Sequence, residues 1–200
     1  MARRKKEYTM EDLLQPEMML HLYTQGAFPM ADGEEEINWY MPEIRTVIPV
    51  EEFNTPRSLK KFLAGSGFEY KFDTRRLDVI RNCAARDETW ISERLIEAYS
   101  NLIDLDFLHS VETYLEGNLV GGLYGITYRG AFFGESMFSK VPQASKAAFV
   151  KLAERLKEKN YYLIDVQYQT EHLKMFGARE VSFEQFAGLL NEAYKRDAEF

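Results

Sequence analysis

The chain has 200 residues and a net charge of −7, from 32 acidic and 25 basic side chains. That length can bury one substantial core, and the acidic balance weighs against a general nucleic-acid binder without excluding a local basic face. One cysteine, Cys83, rules out an intrachain disulfide, three scattered histidines show no metal-ligand spacing, and no apolar run approaches the ~20 residues of a membrane-spanning helix.

The basic opening MARRKKEY leads into no apolar stretch and does not read as a secretory signal. The expectation is a cytoplasmic protein without metal or cofactor. Met10 to Tyr23 carries a helical apolar pattern interrupted by Pro16. QGAFPM then reads as a Gly/Pro turn, ADGEEE as an acidic surface loop, and INWYMPEIRTVIPVEEF as extended segments broken at Pro42 and Pro49. Pro56 opens a helix, TPRSLKKFL, in which Arg57, Lys60 and Lys61 fall on one face. That face is either simply solvated or a place for a polyanion. Arg3 to Lys6, and Arg75, Arg76, Arg81 and Arg86, are further basic candidates.

FEYKFD reads as a short strand, followed by helices over Thr74–Cys83 and Ser92–Leu105, the second with Ser92 as its N-cap. From His109 the pattern changes. HSVETYLE, LVGGLYGITY and AFFGESMFS, separated by GN and RG, predict a three-stranded antiparallel meander. Ala144–Glu158 is an amphipathic helix, YYLIDVQ a strand buried on both faces, Thr170–Phe176 a short helix, and Ser182–Arg196 the last helix. His109, at a strand start with no second histidine nearby, reads as structural.

Glu135 stands beside Gly134 between two apolar runs, a setting that desolvates a carboxylate and suits it to binding or catalysis. The alternative is an acid on the wet face of a strand. Asp165 and Gln167 alternate along LIDVQ, which predicts that both side chains leave on one face. Leu123, Phe132, Ala147 and Phe149 are placed either to line an apolar pocket or to pack in the core.

The order of meander, helix, buried strand and helix matches an N-acetyltransferase-like core, an α+β fold with a mixed, mostly antiparallel sheet and flanking helices. A small N-terminal domain over 1–43 would precede a catalytic domain over 44–200. GGLYGI, FFGESMFS, ASK, LIDVQ and HL…GA, with CAARDETWISERLIEAY, HSVETY, GAFPM and WYMPEIR upstream, resemble the leucyl/phenylalanyl-tRNA–protein transferase family. Met30 departs from it, standing where the family usually has tryptophan.

The resemblance implies transfer of leucine or phenylalanine, and methionine less well, from charged tRNA to the N-terminal arginine or lysine of an acceptor protein. Such transfer marks the acceptor for degradation. It implies that Gln167 contacts the attacking amine, that Asp165 orients it or acts as its base, and that Glu135 binds the acceptor's cation or orders the site. By the same resemblance Trp90 and Tyr99 handle the tRNA 3′ adenosine, where an aromatic ring can stack on a base. Arg57, Lys60 and Lys61 would meet the tRNA backbone, and the protein would act as a monomer away from membranes. Two other readings stay open: an acyl-CoA-dependent N-acetyltransferase, and a non-catalytic binder of peptide N-termini. The first is disfavoured because SKVPQASK has no glycine for a pyrophosphate-binding turn.

Overall fold

The computed structural model describes residues 8–33 and 36–200; the basic stretch Arg3–Lys6 lies outside the described residues. Helices α1 (Met10–Leu13) and α2 (Pro16–Thr24) open the chain. Thr9 and Asp12 close a capping box on α1, and Pro16 sits in the first turn of α2, where its missing N–H costs nothing. Strands β1 (Phe28–Asp32) and β2 (Glu36–Tyr40) pair as an antiparallel hairpin. AFPM is therefore mostly strand rather than turn. Pro29 fits because a two-stranded ribbon consists only of edges.

A seven-stranded sheet carries the rest, in the order β4-β5-β6-β7-β8-β3-β9. Its strands are β3 (Ile44–Pro49), β4 (Glu69–Phe72), β5 (Leu108–Leu115), β6 (Asn118–Tyr128), β7 (Ala131–Ser139), β8 (Leu163–Gln167) and β9 (Arg179–Ser182). Every pairing is antiparallel except β7 with β8. The architecture is thus α+β with a mixed, mostly antiparallel sheet, as expected. β9 was not foreseen; its four residues, REVS, are too short and too polar to announce a strand.

The alternating strands give the sheet two apolar faces. One packs on α2, α4 (Arg76–Ala84), α5 (Glu93–Asp104) and α8 (Phe183–Ala193), through Tyr23, Ile80, Leu95, Tyr124, Phe133 and Phe186. The other packs on α3 (Arg57–Leu63) and α6 (Ala144–Glu158), through Leu59, Leu123, Phe132, Phe149, Leu152 and Ile164. Gly121 lets α6 come down on the sheet, since a Cβ there would stand 2.5 Å from the Ala144 Cβ. Gly125 makes room for the Phe132 ring, which would lie 2.5 Å from an added Cβ. The N-terminal elements share the first core, with Met19, Tyr23, Phe28 and Ile37 buried in it. Among the described residues no helix is long and apolar enough to cross a membrane.

Candidate active site

The only parallel pair in the sheet runs for three residue pairs, Ala131–Leu163, Phe132–Ile164 and Phe133–Asp165, and then stops. Both strands bulge just beyond. On β7 the register jumps from Gly125–Gly134 to Tyr124–Ser136, leaving Glu135 as the extra residue. On β8 it jumps from Val47–Asp165 to Thr46–Gln167, leaving Val166 extra. A bulge bends its strand and re-aims the local side chains, so β7 and β8 separate here. Gln167, in the left-handed region at φ 59°, reaches across the gap and donates from Nε2 to Gly134 O at 2.5 Å.

A cavity of about 300 Å³ opens at this gap. Leu123, Phe132 and Phe149 line it, with Met137, Leu152 and Phe176, which nothing in the sequence singles out. Ala147 does not line it; it is fully buried elsewhere, one residue out of phase on α6 from Lys146, which does. Gly134, Glu135 and Gln167 form the polar end, and Trp90 and Arg86 stand at the wall. The N-terminal hairpin is tied to this wall, since the Ala31 N–H donates to Trp90 O at 3.0 Å.

Glu135 sits over a buried tyrosine cluster. The Tyr99 hydroxyl donates to its Oε2 at 2.7 Å, and the Tyr23 hydroxyl lies 3.3 Å from that of Tyr99. Its Oε1 is out of solvent and, among the described residues, has no partner, as is also true of the Tyr124 hydroxyl. Burial pushes the Glu135 carboxyl up to about 7, against the opposing pull of the tyrosine hydroxyls. Tyr99 itself is fully buried behind Glu135. It therefore has no free face on which an adenine could stack, and Trp90 alone of the two aromatic candidates reaches the cavity.

Asp165 and Gln167 do not share a face in the expected way, because the bulge and the left-handed Gln167 break the alternation. Asp165 is fully buried on the α8 side and pairs both oxygens with Arg45, Oδ1 with Nε at 2.8 Å and Oδ2 with Nη2 at 2.6 Å. The Arg45 guanidinium is itself held between the Phe28 and Phe186 rings, 4.5 and 4.9 Å from their centroids. Asp165 Oδ1 also accepts from the Gln167 N–H at 3.0 Å. Both carboxylate oxygens are thus occupied by donors, and Asp165 does not line the cavity. It reaches the site through the clamp on the Gln167 backbone and through its charge, which adds to the upward shift of Glu135. Arg45 goes unmarked in the sequence although WYMPEIR contains it; nothing local shows that an arginine is buried.

Of the basic candidates, Arg57, Lys60 and Lys61 are exposed on α3, with no acidic partner among the described residues. Arg75 and Arg76 are paired with Asp78 and Asp106. Arg81 is exposed, and Arg86 donates to Ser136 Oγ and Met137 O on β7.

Folding favours the protonated form of Glu135, so the stability it contributes is present at low pH and is lost as pH rises from 4.5 through 7. Relative to wild type, Glu135→Gln should therefore gain up to about 3 kcal/mol between pH 4.5 and 8, at ~1.4 kcal/mol for each pH unit between the unfolded and folded values. Thermal melts of both proteins at the two pH values check this. A gap that stays constant with pH would mean the carboxyl is ionised throughout.

A family model described as leucyl/phenylalanyl-tRNA protein transferase matches residues 47–191, and a second, for the N-terminal domain of that transferase, matches residues 12–43. A Herpetosiphon aurantiacus protein named leucyl/phenylalanyl-tRNA–protein transferase is 43% identical over 188 residues, 94% of this chain and 98% of its own. A protein of the same name from Phenylobacterium zucineum is 45% identical over 188 residues, 91% of this chain and 85% of its own. A solved protein of unknown function from Bacteroides thetaiotaomicron superposes with a TM-score of 0.48 at 14% identity, over 80% of this chain and 61% of that one; this likeness is too distant to bear on fold or function. With both family models matching in sequence order and identity above 40% along nearly its whole length, the chain belongs to the leucyl/phenylalanyl-tRNA protein transferase family.

Proposed function

We propose that this chain is an aminoacyltransferase that moves leucine or phenylalanine, and methionine less well, from charged tRNA to the N-terminal arginine or lysine of an acceptor protein. It would act as a cytoplasmic monomer built on an N-acetyltransferase-like core, with 1–43 as a small N-terminal domain. The observation that carries this reading is the cavity where β7 and β8 part. It is apolar at depth, polar at one end, and bounded by the Gln167 carboxamide.

The reaction is an aminolysis. The acceptor's α-amine attacks the ester carbon, a C–N bond forms, the ester C–O bond breaks, and the ribose hydroxyl leaves with a proton given up by the amine. Because Gly134 O can only accept, the nitrogen end of the Gln167 carboxamide is fixed on it, which leaves Oε1 as the acceptor facing the cavity. Gln167 Oε1 takes a hydrogen bond from the amine and turns its lone pair toward the ester, a gain in orientation rather than in basicity. Asp165 acts on the amine only through Gln167. Glu135 supplies negative charge at the polar end for the acceptor's cation, and Trp90 is the ring available for the terminal adenine.

The test is incubation with leucyl-, phenylalanyl- or methionyl-tRNA and a peptide beginning with arginine, followed by mass analysis. One added residue is expected, fastest with leucine and phenylalanine. An apolar cavity separates donors that differ by a methylene by only ~1–3 kcal/mol, so methionine should be slower rather than excluded. Comparable transfer of aspartate or lysine from their tRNAs would sink the pocket assignment.

Arg57→Ala, Lys60→Ala and Lys61→Ala together should weaken tRNA binding and lower its logarithmic salt slope by about 2, at ~0.7 for each phosphate of a single strand that is no longer neutralised. Binding titrations at several salt concentrations measure it. An unchanged slope would move the tRNA path off α3.

A further inference from the structure

The cavity at the strand gap is not closed outward. Lys146, on the first turn of α6, and His172, on α7 (Glu171–Lys174), line both this cavity and an adjoining open depression of about 420 Å³. A ligand that runs from one to the other meets both side chains. The depression is also lined by Ser139, Lys140, Gln143 and Ser145, and no carboxylate is among its walls.

That is unusual for a chain with a charge of −7. Nearby lysines on the same elements are neutralised, Lys151 by Glu154 and Lys174 by Glu171. Lys140 and Lys146 have no acidic partner among the described residues. Partial burial, and then the nearby Lys146 ammonium, lower the His172 imidazole below its usual range. An unpaired ammonium beside an imidazole that can donate a ring N–H, at a rim without a counter-charge, is stabilised by a bound anion.

The backbone adds to this. The Ala144, Ser145 and Ala147 N–H groups go to Val141 O, Ser139 Oγ and Gln143 O, which leaves the Lys146 N–H without a partner among the described residues. An open N–H at the start of a fifteen-residue helix, beside its own ammonium, suits an anionic oxygen.

We propose that Lys146, His172 and Lys140 form a subsite for the phosphodiester immediately 5′ of the terminal nucleoside of the charged tRNA. This rests on the transferase reading and adds a ligand contact to it. With the donor side chain in the apolar cavity and the ester at Gln167, the terminal ribose occupies the rim, and its 5′ phosphate is the first anion to meet the depression. The phosphate then fixes the ester along the axis of the strand gap, while α3 holds backbone farther from the reacting atoms.

The experiment compares two minimal donors, phenylalanyl-adenosine with a free 5′ hydroxyl and the same compound carrying a 5′ phosphate. In the wild-type protein the phosphorylated donor should have a KM lower by roughly ten- to a hundredfold, the range for one hydrogen bond to an ionised group. Lys146→Met and Lys140→Ala should each shrink this ratio, and the double variant should bring it close to one. Lys146→Arg should keep most of it. Equal KM values for the two donors in wild type, or a ratio that survives the double variant, would overturn the subsite. Failure with both donors would instead count against the transferase reading itself. Coenzyme A carries a diphosphate of the same chemistry and serves as competitor. Inhibition at concentrations below the KM of the phosphorylated donor would assign the subsite to a nucleotide cofactor and not to tRNA.

Discussion

Arg45→Met is expected to destabilise the protein by about 3–5 kcal/mol, the cost of leaving one partner of a buried ion pair uncompensated. Asp165 and Arg45 are both fully buried, 120 positions apart in sequence, and joined by two hydrogen bonds. Removing the guanidinium strands the carboxylate between β8 and α8 and also opens the space between the Phe28 and Phe186 rings. For a chain of this size the melting temperature should fall by roughly 10 °C, at ~2–4 °C per kcal/mol. Adding Asp165→Asn to Arg45→Met removes the stranded charge while still offering an oxygen to the Gln167 N–H. The double variant should thus recover much of the lost stability. If Arg45→Met melts with wild type, the pair does not hold β8 in place. If the double variant melts no higher than the single, lost ring packing and not the unpaired charge is the cost.

What the sequence made legible here was whatever is decided within one turn or one strand. Ser92 caps α5 as its position predicted, the last helix follows directly on Ser182, and Ala144–Glu158 begins and ends at the predicted residues. The meander of β5, β6 and β7 was also legible, because tight turns at GN and RG separate its strands. The faces of side chains at the gap were not. Alternation puts Asp165 and Gln167 on one side, and a single extra residue, Val166, undoes that. No local pattern records a bulge that is set by the strand opposite. Tyr99 is a different kind of miss. Leu95, Ile96, Tyr99 and Leu102 follow the buried face of α5, so helical phase alone carries the signal of its burial, against the role that the family resemblance implies. Arg45 could not have been found that way. A buried arginine is recognisable only through its carboxylate, and that lies on a strand far along the chain.

Gln167 carries the largest expected effect on activity. Its backbone stands in the left-handed region at φ 59°, a conformation that is unfavourable for any residue with a Cβ. The chain tolerates it because Asp165 Oδ1 holds the Gln167 N–H and because the carboxamide bridges to Gly134 O. Such strain at a strand end is expected where a side chain must be aimed rather than merely packed. Gln167→Gly separates aim from packing. Glycine takes the same φ without penalty, so the relief of backbone strain offsets much of the lost bridge, and stability should change by no more than about 1 kcal/mol. Turnover should nevertheless fall by roughly a hundred- to a thousandfold, the scale for one positioned hydrogen-bonding group at a reacting centre. KM for charged tRNA should move little, because the donor is held by the apolar cavity and the phosphate contacts. Gln167→Ala should lose the same activity and be less stable than the glycine variant, since it keeps the strain and lacks the bridge. Melting curves with single-turnover rates on all three proteins decide it. Should Gln167→Gly turn over at the wild-type rate, the carboxamide only closes the strand gap, and the amine must be oriented by another polar side chain of the cavity, with Glu135 and Ser136 the first to test.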